Sequence, residues 1–268
     1  MKKVLFVNSE MTPYLPDSPV AVMGRELPQG IQERKNEIRS FMPRYGCINE
    51  RKNQLHEVIR LSGMNIIIGD VDRPIVIKVA SIASARMQVY FIDNEDYFKR
   101  KFVHTDEKGK PFPDNGERAI FFARGVLETV KKLRWSPDII HCHGWMSQVL
   151  PLYLKKAYKD DPIFSGAKVV LSLLGDTPEQ RFSEAFHDNL IFSLVTPADI
   201  EDLKEPDGTF LAKMAIRYSD GVFFASEKAD PALAEFAKEI GKPVIPFDGE
   251  RIASGAYMDD YNQFYQQL

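Results

Sequence analysis

The chain has 268 residues, 44% of them hydrophobic and 27% charged, so it can bury one large core or two modest ones and should not be disordered. Its formal net charge of -3 comes from 35 basic and 38 acidic residues without long runs of one sign, so we expect neither nucleic acid nor a membrane as a partner. The two cysteines, Cys47 and Cys142, lack the spacing of a metal site or a disulfide framework, which favours a reducing, cytoplasmic location.

The first half of the chain predicts one buried strand, a group of strands joined by tight turns, and a helix. Residues 4–8 form a short apolar run of the kind that opens a doubly wound sheet, too short for a signal segment or a membrane span. Apolar or alternating runs near residues 66–68, 75–79 and 89–92 are separated by turn residues, which favours strands over helices. Between residues 117 and 134, apolar residues recur at spacings of three and four, as in an amphipathic helix.

The second half of the chain alternates strands and helices. The predicted strands are residues 138–142, 168–173, 221–225 and 243–246, and the predicted helices are residues 147–158, 211–218 and 230–240. Such alternation implies βαβ units and a mostly parallel sheet. Segment 182–208 is predicted to be loop and short helix above that sheet, and no repeat or linker divides the chain. We therefore predict one α/β, Rossmann-like, doubly wound domain over residues 1–268.

Several short motifs in a fixed order carry a resemblance to one family. They are Ser9-Glu10-Met11-Thr12-Pro13, Leu27-Pro28, Pro43-Arg44-Tyr45, Pro113-Asp114-Asn115-Gly116-Glu117-Arg118, Trp135-Ser136-Pro137-Asp138, His141-Cys142-His143-Gly144-Trp145, and Ala215-Ile216-Arg217-Tyr218-Ser219-Asp220 with Ser226. Each motif is weak alone, but their order and spacing together are specific. On these residues, the chain resembles the N-terminal half of bacterial glycogen synthases and plant starch synthases from residue 3 to about residue 228.

The resemblance implies one half of a GT-B type glycosyltransferase. Members of that family have two facing Rossmann-like domains that hold ADP-glucose or UDP-glucose between them, with most donor-binding groups on the C-terminal domain. Residues 1–268 are therefore expected to correspond to the N-terminal domain, with the C-terminal donor-binding domain absent and no separate cofactor. Such a half should be inactive alone, because transfer from a nucleotide sugar needs cationic or amide donors around the departing diphosphate.

The chain departs from the family in its donor loop and at two strand ends. Where the family has Lys-Thr-Gly-Gly-Leu, this chain reads Pro16-Asp17-Ser18-Pro19-Val20, in which two prolines remove amide donors and Asp17 adds negative charge. This degenerate donor loop should repel a diphosphate. The Asp and the second His that follow His-x-His in the family are replaced by Gly144 and Met146. The family's Thr-Ile-His-Asn reads Ser172-Leu173-Leu174-Gly175, which removes a hydrogen-bonding pair suited to sugar hydroxyls.

The resemblance supplies the candidate site residues, each of which has a structural alternative. The glucan- or sugar-binding candidates are His141, His143, Trp145, Asp114 and Asn115, with His143 as the catalytic residue if activity survives. The two histidines could instead be packing groups at a strand end, Trp145 could be core, and Asp114 could cap a helix that has an ion pair to Arg118. No metal site is expected from the histidine pair, since Cys142 should point to the opposite face of its strand.

Two other enzyme classes lack their motifs, and three roles remain open. No Gly-x-Gly-x-x-Gly turn follows the first strand and no Gly-x-Ser-x-Gly elbow is present, which argues against a dehydrogenase and a serine hydrolase. We expect a glucan-binding or regulatory subunit in storage-glucan metabolism. The alternatives are a glucosyltransferase half completed by a separate domain or subunit, and a structural interaction module. The expected partners are an α-glucan or sugar nucleotide and a second subunit or a second copy.

One surface is expected to be covered. Leu173, Leu174 and Met146 place apolar side chains on what would be an open cleft wall. We expect segment 182–208 and the aromatic C-terminal tail, or a second copy of the molecule, to bury that wall.

Overall fold

The computed structural model describes residues 1–178, 180–201 and 205–268. Its strands are β1 (Lys3–Asn8), β2 (Glu37–Pro43), β3 (His56–Glu57), β4 (Asn65–Ile68), β5 (Val71–Pro74), β6 (Val76–Ile82), β7 (Met87–Asp93), β8 (Ile139–His143), β9 (Lys168–Leu173), β10 (Gly221–Phe224) and β11 (Val244–Ile245). Nine of them form one sheet in the order β11-β10-β9-β8-β1-β2-β7-β6-β3, and β4 and β5 pair separately. From β11 to β7 the neighbouring strands are parallel, while β6 and β3 add an antiparallel edge.

The helices flank this sheet. They are α1 (Pro19–Glu33), α2 (Glu95–Phe98), α3 (Asn115–Leu133), α4 (Leu150–Lys155), α5 (Ala185–Leu190), α6 (Gly208–Arg217), α7 (Pro231–Glu239), α8 (Gly249–Ser254) and α9 (Tyr257–Gln267). The predicted α/β, Rossmann-like class with a mostly parallel sheet is confirmed. The predicted helix over residues 147–158 is too long, because the chain first makes a 3-10 turn over Trp145–Ser147 and α4 spans six residues.

The two faces of the sheet are covered differently. Helices α3, α4, α6 and α7 pack side by side over one face, where Leu5, Val7 and Leu171 belong to the larger apolar core. Because side chains alternate along a strand, Val4, Phe6 and Val170 point the other way, into a second core under α1 and α9. Cys142 belongs to the first core and His141 contacts α9, so the predicted opposite orientation of these neighbours is confirmed.

The aromatic tail packs on the sheet beside α1. Tyr261 of α9 stacks on Phe223 with ring centroids 3.7 Å apart, and Phe264 fills the space that a side chain at Gly221 would need. Leu174, 4% exposed, belongs to this core, and Phe182 stacks on the indole of Trp145 nearby. The tail therefore covers Leu174, as expected, and Phe182 brings the predicted covering segment 182–208 onto Trp145; residues 202–204 of that segment lie outside the described residues.

Candidate functional site

The candidate site lies where the carboxyl ends of β1 and β8 diverge. Strand β1 has β2 on one side and β8 on the other, so the connections leave it in opposite directions and open a crevice, as at other topological switch points. The turns after the two strands are bonded together. The Ser9 N–H donates to the His143 carbonyl at 2.8 Å, and the Met146 N–H donates to Ser9 Oγ at 2.9 Å.

Glu10 provides the first charged group of this crevice. The Ser18 hydroxyl donates to Glu10 Oε2 at 3.2 Å, while its oxygen accepts from the Ala21 N–H at the start of α1. His104 Nε2 lies 3.5 Å from Glu10 Oε1. Burial alone would raise the pKa of Glu10, but hydrogen bonds with His104 and Ser18 outweigh it and lower that pKa below its usual value. Glu10 is therefore a carboxylate at neutral pH.

His104 joins Glu10 to the turn after β8. The indole Nε1 of Trp145 lies 3.3 Å from His104 Nε2, the nitrogen that also faces Glu10, while His104 Nδ1 is buried without a hydrogen-bond partner among the described residues. Burial lowers the pKa of His104 and the neighbouring Glu10 raises it. The effect of burial is larger, so the pKa of His104 lies below its usual value. The side chains of His104 and Glu10 are 20% and 21% exposed, so both reach the solvent side of the crevice.

Asp176 supplies a second carboxylate from the loop after β9. The Trp145 N–H donates to Asp176 Oδ2 at 3.0 Å, whereas Oδ1 is buried without a hydrogen-bond partner among the described residues. Burial raises the pKa of Asp176 to about 6, and Glu10 contributes in the same direction. Most Asp176 side chains are therefore ionised at neutral pH, and two negative groups flank one turn.

Two clefts extend this crevice along the carboxyl ends of β9 and β10. One, of about 260 Å³, lies between the Gly175 turn and the loop containing Lys228 and Asp230. The other, of about 460 Å³, is lined by the neutral polar residues Thr177, Gln180 and Thr209 and by the charged residues Arg181, Glu205 and Asp207, of which Arg181 and Glu205 form an ion pair. Neutral hydrogen-bonding groups beside carboxylates suit a polyhydroxyl ligand.

The structure places both predicted histidines below this crevice, on the face covered by α1 and α9. His143, 1% exposed, donates from Nε2 to the Val20 carbonyl at 2.9 Å, and burial lowers its pKa to about 4. His141 is fully buried, and its Nε2 and Nδ1 are hydrogen-bonded to Ser172 Oγ and the Tyr265 hydroxyl at 2.9 and 2.6 Å. Burial also lowers the pKa of His141. Trp145 is 1% exposed and meets the crevice through its backbone and its indole N–H.

Asp114 and Asn115 hold the loop that carries His104. Asn115 Nδ2 donates to the His104 carbonyl at 2.9 Å and to Gln180 Oε1 at 2.8 Å, and its Oδ1 accepts from Arg118. Asp114 is at the N-cap position of α3 but makes no capping hydrogen bond. Its ion pair is with Arg100, not with Arg118, because the Arg118 guanidinium donates to the Tyr97 carbonyl and to Asn115 instead.

The four residues of the degenerate donor loop lead into α1. Pro16 and Asp17 are exposed, Ser18 caps the helix, and Pro19 occupies the first turn, where a missing N–H costs nothing. Of the described lysines and arginines, none makes an ion pair with Glu10 or Asp176. That the loop rejects a diphosphate stays a prediction.

Three residues of this crevice were not among the sequence candidates. Glu10 had a usable signal, since it follows the first strand within the Ser-Glu-x-x-Pro motif. His104 and Asp176 belong to no motif and reach Trp145 only through the fold, from 41 and 31 positions away. Within the described residues, no three His, Cys, Asp or Glu side chains form a cluster able to hold a metal ion. No described helix is both long and apolar enough to cross a membrane.

Comparisons with known proteins agree with the resemblance. The family model described as the starch synthase catalytic domain matches residues 3–241, which leaves α8 and α9 outside the match. A glycogen synthase from Chlorobium luteolum is 42% identical over 172 residues, 64% of this chain and 35% of that protein. One from Chlorobaculum tepidum is 38% identical over 201 residues, 74% of this chain and 41% of that protein. The chain thus spans less than half the length of these curated relatives.

A solved structure shows the same fold. The catalytic domain of starch synthase IV from Arabidopsis thaliana, bound to ADP and acarbose, superposes with a TM-score of 0.73 at 16% sequence identity. The match covers 92% of this chain and 51% of that one. At this identity the likeness concerns the fold alone.

Proposed function

The chain belongs to the starch synthase catalytic domain family, and from this premise we propose that it binds an α-glucan at the crevice between β1, β8 and β9 and does not transfer glucose by itself. In this role it serves storage-glucan metabolism as a glucan-binding or regulatory subunit. The ligand is a neutral chain of glucose units.

The observation that supports this proposal is the pair of carboxylates around the Trp145 turn. Glu10 and Asp176 accept hydrogen bonds, and sugar hydroxyls donate them, so the pair suits a glucosyl unit. A diphosphate would bring two or more negative charges to the same place and would be repelled. Thr177 and Gln180 add neutral hydrogen-bonding groups in the neighbouring cleft, where Arg181 is ion-paired with Glu205.

The degenerate donor loop supports the absence of independent transfer. Its two prolines have no N–H group. The Ser18 hydroxyl already donates to Glu10 and accepts from the Ala21 N–H in the first turn of α1. Stabilising a departing diphosphate needs several preorganised donors, which this loop does not present.

A second candidate is a transferase half whose site is completed by a separate domain or subunit. Identities of 42% and 38% to glycogen synthases favour it, together with coverage of only 35% to 41% of their length. In this case His143 remains the catalytic candidate, and a purified chain gains activity only when its partner is added.

Titration calorimetry with the purified chain tests the proposal. We expect maltohexaose to bind with a dissociation constant in the micromolar to millimolar range, and ADP, ADP-glucose and UDP-glucose to give no heat above dilution. Labelled glucose from either sugar nucleotide should not enter glycogen above a buffer control. Absence of maltohexaose binding would contradict the glucan-binding role. Transfer by the chain alone that disappears in His143→Ala would show a surviving active site.

A further inference from the structure

The turn after β8 has a backbone conformation that excludes a side chain. Gly144 has φ 79° and ψ 166°, a region open essentially to glycine. A Cβ built there would lie 2.6 Å from Ser9 Oγ and 2.8 Å from Asp176 Oδ2. The space that a residue 144 side chain would occupy is thus already filled by Ser9 and by the Asp176 carboxylate, which comes from the loop after the neighbouring strand β9.

Asp176 is fixed in this place but not fully satisfied. One oxygen accepts the Trp145 N–H, which ties the carboxylate to the turn, and the other has no hydrogen-bond partner among the described residues. A buried carboxylate oxygen without a partner carries a desolvation cost, and a hydrogen bond from a ligand would remove that cost. The residues on either side of it, Gly175 and Thr177, both line the cleft of about 260 Å³, so Asp176 lies directly behind the wall of that cleft.

We propose that Asp176 is a ligand-binding residue of the crevice, accepting a hydrogen bond from a glucosyl hydroxyl through Oδ1 while Trp145 holds Oδ2. In the family motif, the residue after His-x-His carries a carboxylate. Here that residue is Gly144, which has no side chain, and Asp176 places its carboxylate beside the same turn instead. This inference rests on the proposed glucan binding and names a residue that determines it.

The charged and titratable groups around Asp176 come from several elements. Glu10 follows β1, His104 contacts both Glu10 and Trp145, Tyr45 follows β2, and Lys228 follows β10. Glu10 has a lowered pKa and stays ionised through mildly acid pH, so the raised pKa of Asp176 makes this aspartate the first carboxylate of the pair to gain a proton.

The experiment compares Asp176→Asn with a matched control, Asp72→Asn. The asparagine keeps the size of the side chain and can still accept the Trp145 N–H, but it removes the charge. Asp72 is an exposed carboxylate on β5, outside the crevice. We expect maltohexaose binding by calorimetry at pH 7.5 to weaken at least about tenfold in Asp176→Asn, with the melting temperature retained, and to be unchanged in Asp72→Asn.

A pH series on the unaltered chain and on Asp176→Asn provides a second measurement. Affinity of the unaltered chain for maltohexaose should fall between pH 7.5 and pH 5, and this fall should be smaller in Asp176→Asn, which also separates Asp176 from His104. If the unaltered chain binds maltohexaose and Asp176→Asn binds equally well with the same pH dependence, the assignment of Asp176 is wrong. If the unaltered chain does not bind, the proposed function itself is overturned, and this assignment with it.

Discussion

The two faces of the central sheet are stabilised in different ways. Under α3, α4, α6 and α7 the core is a continuous apolar cluster, with Phe121, Val169 and Leu171 fully buried. Under α1 and α9 the core contains a buried chain of hydrogen bonds from Tyr261 through Ser172 and His141 to Tyr265. Apolar packing tolerates exchanges of similar volume, whereas a buried polar chain is stable only when every member has its partner.

The faces also depend on different parts of the sequence. The helices over the apolar face all lie within the family match at residues 3–241. The second face needs α9, which lies beyond it and contributes Tyr257, Tyr261, Phe264 and Tyr265. The stability of the face under α1 and α9 should therefore depend most on the C-terminal segment and on the protonation of buried groups.

The largest expected effect is that of removing α8 and α9. Deleting residues 249–268 exposes Phe223, Leu174 and His141 to solvent. It also removes four buried aromatic side chains. Each such side chain contributes about 1.5–3 kcal/mol, and whole domains are stable by about 5–15 kcal/mol. We expect the melting temperature to fall by about 10 °C or more, or cooperative unfolding to be lost, in scanning calorimetry.

The control for this deletion is Gln263→Ala, which alters the exposed side of α9 and should leave the melting temperature unchanged. Light scattering on the truncated protein shows whether a second copy covers the uncovered face. A truncated protein that stays monomeric with unchanged stability would mean that α9 does not stabilise this face.

The second prediction concerns acid. His141, His143 and His104 have folded pKa values below the unfolded value near 6.5, because burial disfavours their charged forms. The unfolded chain then binds more protons, so stability is complete above about pH 6.5 and is lost as the pH falls toward 4. The loss from His143 is on the order of 1–3 kcal/mol, measurable by urea denaturation at pH 7.5, 6 and 4.5.

Asp176 acts in the opposite direction, and variants separate the contributions. Its folded pKa of about 6 lies above the unfolded value, so its contribution to stability is present at low pH and is lost as the pH rises through 6. Asp176→Asn should therefore steepen the loss of stability between pH 6 and 4.5, and His143→Gln should flatten it. His56→Gln, at an exposed position, is the control. An unchanged slope in His143→Gln would show that this histidine does not bind its proton on unfolding.

Sequence alone predicted the elements whose own residues determine them. Strand β1 follows from a short apolar run and helix α3 from apolar spacings of three and four, and both patterns are local to the residues concerned. The aromatic tail was expected to pack on the domain. Its place beside α1 is set by contacts that only the fold creates, a hydrogen bond from Asn36 to Asn262 and the stacking of Tyr261 on Phe223. Asp176 could not be predicted, because a polar residue in a loop acquires a role only when the fold brings it to a turn on another strand.

The last prediction is the smallest and compares one hydroxyl from each face. Tyr265 OH is hydrogen-bonded to His141 Nδ1, whereas Tyr153 OH, in the apolar core, is buried without a partner among the described residues. Tyr265→Phe leaves the ring in place but strands the imidazole nitrogen, which should cost about 1–3 kcal/mol and lower the melting temperature by a few degrees.

Tyr153→Phe removes a buried hydroxyl that makes no hydrogen bond among the described residues. The same substitution on the apolar face should therefore leave the free energy of unfolding unchanged or raise it slightly. Parallel urea denaturation of both variants at pH 7.5 measures the difference. Because the two changes delete the same atom from buried tyrosines, the difference reports the hydrogen bond to His141 rather than the loss of an oxygen. Equal effects of the two substitutions would mean that the polar chain under α9 contributes no more than ordinary packing.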